Sequence, residues 1–255
     1  MKNILLFIVV TFASASCSKK IIPQNGSNST GELLKSAAQT TIRFSGYTWM
    51  VKNPPGQVGP HSNYWSKDNV WVDKQGRLHL KITREPDGRW TCAEIQSTEN
   101  FGYGKYVWKI ESRVDQLDKN IVLGLFDYRG IQYSKYDEID IEFSRWGHAH
   151  VDNFSNTVYP EYPKGKSVSN SHELSLNGLW STYRFIRDSE KVAYSSFHGH
   201  TEDPGNAFFV WQTPSGFAVP KVAMPIHMNL WLFDAPPSDG EEVEIIIRSF
   251  EFTPL

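Results

Sequence analysis

From Thr41 onward the chain reads as short runs of alternating apolar and polar residues broken by turns, with almost nothing at helical period. Arg77-Leu78-His79-Leu80-Lys81-Ile82 alternates after the turn Asp73-Lys74-Gln75-Gly76. Lys105-Tyr106-Val107-Trp108-Lys109-Ile110-Glu111 does the same after Phe101-Gly102-Tyr103-Gly104. Period two puts successive side chains on opposite faces of a strand. Ile121-Val122-Leu123-Gly124-Leu125-Phe126 is apolar throughout, which predicts a strand covered on both faces. Met228 to Leu232 and Glu242 to Arg248 supply two more strands near the end. Such runs, separated by Gly, Pro, Asn and Asp, predict an all-β fold: a jelly-roll β-sandwich of two antiparallel sheets, with a concave face available as a cleft. About 210 residues suffice for it as one domain.

The N-terminal segment departs from this pattern. Lys2 precedes the apolar run Ile4 to Phe12, and the small residues Ala13-Ser14-Ala15-Ser16 lead to Cys17. That order predicts a secretory signal over residues 1–17, too short for a membrane span. Cys17 resembles the lipidated cysteine of a bacterial lipoprotein, although Ser14 stands where such signals usually carry Leu. Ordinary cleavage and release is the alternative. Residues 18–40, rich in Ser, Asn, Gly, Gln and Lys, have the composition of a flexible linker, and 41–255 form the expected domain. A lipid on Cys17 would tether an exported protein to the outer membrane or cell surface. It would also leave Cys92 as the single remaining cysteine, with no intrachain disulfide. A formal charge of −2 and the lack of a long basic run argue against nucleic acid as a partner. A monomer is expected.

Tyr136-Asp137-Glu138-Ile139-Asp140-Ile141-Glu142-Phe143 is the most unusual stretch. On a strand, Ile139, Ile141 and Phe143 share the buried face, and Glu138, Asp140 and Glu142 share the other. Three like charges side by side destabilise a sheet, so the row calls for a purpose. The Cα atoms of Glu138 and Glu142 would be roughly 13 Å apart at ~3.3 Å per residue. Side chains leaning together on a curved sheet could approach the ~5–5.5 Å carboxyl separation of a retaining glycosidase. Asp140 between them would shift both acidities, since like charges at short range do not all ionise. The spacing alone fits a solvated charged strand or a calcium site as well as catalysis.

The surrounding sequence adds a resemblance. Glu138-Ile139-Asp140-Ile141-Glu142-Phe143 is similar to the active-site motif of glycoside hydrolase family 16, jelly-roll enzymes that cut or rearrange β-linked glycans internally with retention. Cys92 to Ile110 and Met228 to Phe233 resemble two further segments of its bacterial lichenases, and the likeness runs from about Ile42 to Leu255. It implies Glu138 as nucleophile, Asp140 as assisting carboxylate, Glu142 as general acid/base and Glu94 as a sugar contact. Gln96 stands where lichenases have Arg, which removes a bidentate cation from the cleft. Cys92 matches a cysteine that is disulfide-bonded in lichenases, and here it is expected to be an inert buried thiol. The regular Glu-x-Asp-x-Glu spacing points to the mixed-linkage glucanase and xyloglucan-active side of the family.

Sugars stack on aromatic rings, and nine Trp offer platforms. Trp231 shares a strand face with Asn229, which would bond a sugar hydroxyl, and Trp146 follows the acidic strand closely enough to line one end of the cleft. Trp108 and Tyr106 share a face that could be core. His148 and His150 lack an evident third ligand and are expected to be exposed, and His61 sits in a loop able to reach the cleft. No metal ligand set and no required cofactor are expected; a structural calcium is possible but not indicated. The resemblance thus implies a retaining endo-hydrolase of a β-linked polysaccharide, with β-1,3-1,4-glucan first. Transglycosylation of a xyloglucan-like glucan and a non-catalytic glycan-binding lipoprotein are the alternatives.

Overall fold

The computed structural model describes residues 39–130, 137–160 and 167–255. The expected signal, Cys17 and the linker as far as residue 38 lie outside the described residues. The Gln39 side chain donates to the Val51 carbonyl at 2.9 Å, and the Val51 amide donates to Thr40 at 2.8 Å.

The described residues form sixteen strands and three single-turn 3₁₀ helices. In chain order the strands are β1 (Thr41–Phe44), β2 (Tyr47–Val51), β3 (Tyr64–Trp65), β4 (Val70–Val72), β5 (Leu78–Arg84), β6 (Trp90–Phe101), β7 (Gly104–Glu111) and β8 (Ile121–Tyr128). They continue with β9 (Glu138–Phe143), β10 (Phe154–Tyr159), β11 (Val168–His172), β12 (Trp180–Arg187), β13 (Val192–His198), β14 (Ala207–Gln212), β15 (Met224–Leu232) and β16 (Val243–Pro254). One layer runs β11-β10-β9-β8-β15-β6, with β2 also paired on β6 and β1 paired on β2. The other runs β5-β16-β7-β12-β13-β14, with β4 on the free edge of β5. The twelve-residue β6 joins them: its first residues pair with β5 and its later ones with β15 and β2.

The core lies between the layers and is aromatic. Phe143 of β9 meets Tyr183 of β12 edge-on with ring centroids 4.7 Å apart, and Trp49 of β2 meets Phe250 of β16 at 5.7 Å. Tyr106 and Trp108 are fully buried there, so both belong to the core. Cys92 is also fully buried; burial pushes its thiol up to about 12, and the thiol donates to the Asn63 side chain at 3.4 Å. One ion pair crosses the core, Arg187 of β12 to Asp127 of β8 at 3.1 Å, both side chains wholly shielded from solvent. Every residue of β15 is buried, which is why its sequence shows no alternation.

Candidate active site

Strand β9 splits as its alternation predicts. Ile139, Ile141 and Phe143 point into the core, while Glu138 and Glu142 are half-buried and Asp140 is 4% exposed on the opposite face. That face is the outer surface of the first layer. Residues directly opposite each other on neighbouring strands share a face, so the strand register defines its floor. Glu142, Gly124, Asn229 and Glu94 form one row across β9, β8, β15 and β6, with Ser155 of β10 at its other end. Asp140, Phe126, His227 and Gln96 form the next row, flanked by Thr157. Tyr159 and Tyr128 stand on either side of Glu138. The expected residues Glu138, Asp140, Glu142, Glu94, Gln96 and Asn229 are thus brought onto one surface.

Gly124 makes this floor possible. A methyl group there would come within 2.6 Å of Asn229 Oδ1, so the bare backbone lets Asn229 lie over it toward Glu142.

The acidic row is electrostatically loaded. Burial raises Glu138, and the charges of Glu142 and Asp127 push in the same direction, while a hydrogen bond from Asp140 opposes them. Asp140 is raised well above the usual range by burial, by its carboxylate neighbours and by that same bond. The shared bond lowers Glu138 and raises Asp140, so within this pair Asp140 donates and Glu138 accepts. Burial pushes Glu142 up to about 7, so it retains its proton to near neutrality. Two carboxyl groups on a shared face, both raised by burial, can together supply a nucleophile and a proton donor once one of them has ionised.

The aromatic end differs from expectation in one respect. Trp231 is on the floor but only 5% exposed, covered by His61 at 5.4 Å, Trp146 at 6.4 Å and Phe233 at 6.3 Å between ring centroids. Spacing placed it on the right face, but as it stands it offers no open ring. The accessible rings at this end are Trp146 and Phe233, both half-buried, and His61, exposed and 2.6 Å from the Asp234 carboxylate. His148 and His150 are exposed. Among the described residues, five that are not glycine have positive φ, and four of them, His61, Asp137, Trp146 and Asp234, flank this face. Such backbone costs of order 1–3 kcal/mol each and clusters at functional sites.

Lys52 and His227 carry no sequence signal, yet both touch Glu94. Lys52 Nζ is 2.6 Å from Oε2 and His227 Nδ1 is 3.1 Å from Oε1, across 42 and 133 residues of chain. Among the described residues, no group of three or more His, Cys, Asp or Glu is arranged to hold a metal.

A two-layer sandwich with an aromatic-rimmed face and a row of carboxyl groups defines a glycan-active protein of the jelly-roll class. No family model matches the chain. The β-glucanase of Paenibacillus polymyxa is 31% identical over 195 residues, covering 74% of this chain and 72% of that protein. Endo-1,3-1,4-beta-glycanase ExoK of Rhizobium meliloti is 24% identical over 192 residues, 72% of this chain and 63% of the relative. The solved β-glucanase of Bacillus licheniformis superposes with a TM-score of 0.62 at 19% identity, spanning 87% of this chain and all of that one. The chain belongs to the lichenase-like β-glucanases of glycoside hydrolase family 16. It is a glycoside hydrolase of the endo-glucanase type.

Proposed function

We propose that this enzyme hydrolyses β-1,3-1,4-glucan internally by double displacement, with Glu138 as nucleophile, Asp140 as its proton-bearing partner and Glu142 as general acid and base. The Glu138 carboxylate attacks the anomeric carbon while the glycosidic C–O bond breaks and Glu142 delivers its proton to the departing oxygen. The Glu142 carboxylate then takes a proton from water, whose oxygen displaces Glu138 and releases the sugar with its original configuration. Asp140 steadies the charge on Glu138 before attack and after release. The reaction needs no metal or cofactor. The observation that carries this reading is the row Glu138, Asp140 and Glu142 on one open face, with Glu94 and Asn229 across from Glu142. Support for the mixed linkage comes from the regular two-residue spacing of that row and from the activity named for the Rhizobium relative. We further propose that Cys17 carries a lipid and that the domain acts as an exported, membrane-tethered monomer; metabolic labelling with a fatty acid, lost in Cys17→Ala, tests the anchor.

The test of the reaction is release of reducing ends from barley β-glucan, lichenan, xyloglucan and laminarin by wild type and Glu138→Gln. Turnover of the mixed-linkage glucans that falls roughly 10⁴-fold in the variant is expected. Activity on laminarin or xyloglucan alone would overturn the substrate, and an active variant would overturn the roles. Binding without turnover by the wild type would favour a lectin-like protein, and turnover only with an added sugar acceptor would favour a transglycosylase.

A further inference from the structure

The outer face of the second layer, on the opposite side of the sandwich from the acidic row, carries two tryptophans outside the core. Leu78, Ile110, Tyr183 and Ile247 point inward, so period two turns His79, Glu111, Trp180 and Ile246 outward. Trp71 stands opposite His79, His79 opposite Ile246, and Glu111 opposite Trp180. The pairing of Ile247 with Ile110 sets Ile246 beside Glu111. One row therefore crosses β4, β5, β16, β7 and β12, with Trp71 and Trp180 at its ends, four strand spacings or about 19 Å apart.

Each of these indoles is backed by an imidazole. Trp71 stacks on His79 with centroids 4.7 Å apart and 15° between the planes, and His79 is held at one nitrogen by Glu244 and at the other by Asp73. Trp180 stacks on His200 at 5.4 Å and 16°, and His200 donates from Nε2 to the Ile110 carbonyl at 2.8 Å. Trp180 is nevertheless 56% exposed, and Trp71 is half-buried. With one face against the imidazole, each indole keeps its other face and its rim for a ligand.

Single exposed apolar side chains are ordinary. Two indoles in one register row, each stiffened from behind, are a different matter, because rings fixed in advance lose little freedom on binding. Between them Arg77 bonds Glu111 at 3.2 Å and Asp73 at 2.7 Å, so the middle of the row is charged, unlike the core of a protein-docking patch. Asp73, Glu111 and Glu244 offset Arg77 and the exposed Arg248, which leaves no surplus of cations to attract a polyanion. Separated ring faces with hydrogen-bonding groups between them fit an uncharged polymer whose sugars present C–H faces and hydroxyl edges.

We propose that this row is a second, non-catalytic binding site for β-glucan, with Trp71 and Trp180 as its stacking platforms, and that it holds polymer on the outer face while the cleft cuts elsewhere. The proposal rests on the glucan-hydrolase reading for its polymer and adds a site that the reaction itself does not need. Two attachment points raise the apparent affinity for long or insoluble chains. A short oligosaccharide, which occupies one site at a time, gains nothing from the second.

The test is affinity electrophoresis through gels containing barley β-glucan, comparing Glu138→Gln alone with the same protein carrying Trp180→Ala, Trp71→Ala, both, or Trp180→Tyr. Turnover of a short mixed-linkage oligosaccharide is measured for the same replacements with Glu138 intact, and melting temperatures are taken in parallel. Trp180→Ala is expected to weaken binding in the gel about fivefold and the double replacement about tenfold or more, with Trp180→Tyr close to the parent. Oligosaccharide kcat/KM is expected to stay within about twofold throughout. Melting of Trp180→Ala is expected to move little, since most of that side chain is already in solvent. Equal retardation of the double replacement and its parent would overturn the inference. So would a loss of binding matched by an equal loss of oligosaccharide turnover, or one seen only where the melting temperature falls. A wild type inactive on every β-glucan would sink the enzyme reading alone, because the gel comparison requires no turnover.

Discussion

Replacing Asp127 by Asn leaves the Arg187 guanidinium wholly buried with no counter-charge. The two groups are 3.1 Å apart and neither is exposed, so water cannot take the partner's place. Arg187 retains other bonds, to the Phe101 carbonyl at 2.8 Å and the Tyr106 hydroxyl at 3.3 Å, but these are neutral. A guanidinium keeps its charge throughout the ordinary pH range, so this one has no neutral form to retreat to. Removing one member of a buried pair costs ~3–5 kcal/mol. At ~2–4 °C per kcal/mol for a domain of this size, Asp127→Asn should melt roughly 6–20 °C lower at about pH 8, where Asp127 is ionised. Arg187→Met is not its mirror image. Burial holds Asp127 at about 7 even with Arg187 beside it, so without that cation the carboxyl goes higher still and neutralises itself by taking a proton. At about pH 5.5 the loss should then be nearer the ~1–3 kcal/mol of an unsatisfied neutral group. The sign follows from linkage: a carboxyl whose folded pKa is raised stabilises below its unfolded value, and that contribution is lost as pH rises through the folded value. The deficit of Arg187→Met relative to wild type should therefore widen between about pH 5.5 and about pH 8. Thermal melts followed by circular dichroism at both pH values measure it, and subtracting wild type removes the titration of Glu138, Asp140 and Glu142. Equal, pH-independent losses in the two variants would refute the reasoning. A double replacement by Leu and Met should recover most of the stability, since two apolar groups leave no charge behind.

Gly124→Ala should push Asn229 aside, because the added carbon would stand 2.6 Å from its Oδ1. A raised KM on glucan and a loss of roughly 1–3 kcal/mol in denaturant titrations are expected. The pH profile of kcat/KM should lie above the range of ordinary carboxylates, because burial raises both Glu138, which must ionise, and Glu142, which must keep its proton; a bell set by unshifted carboxylates would count against this. Adding a chelator such as EDTA should leave turnover unchanged. His61→Ala should uncover Trp231, now 5% exposed, and alter glucan affinity; quenching of Trp fluorescence by acrylamide reports the uncovering.

The acidic strand was legible because all its information is local. Ile139, Ile141 and Phe143 alternate with three carboxylates, and the two faces separate as that alternation requires. Its neighbours were not. Which residue of β15 faces Gly124 is set by pairing between segments about a hundred residues apart, and β15 itself, buried on both sides, carries no alternation. Trp231 shows where the pattern stops. Period two gives the face of a side chain, not what the loops around His61 and Phe233 lay over it. Lys52 and His227 were invisible for the same reason, since a lone Lys after a strand and a lone His within an apolar one look ordinary until the register brings both to Glu94. The left-handed backbone at Trp146 likewise leaves no mark in residue type, as a bulky residue is the last expected there.

Cys92 is the only cysteine among the described residues, and its thiol rests against the Asn63 amide rather than against a second sulfur. The domain therefore depends on no covalent cross-link within the described residues, and no oxidant is needed to complete it. Its shape should be indifferent to the redox poise of its surroundings: excess reductant cannot open it, and refolding after denaturation has no wrong pairings to sort.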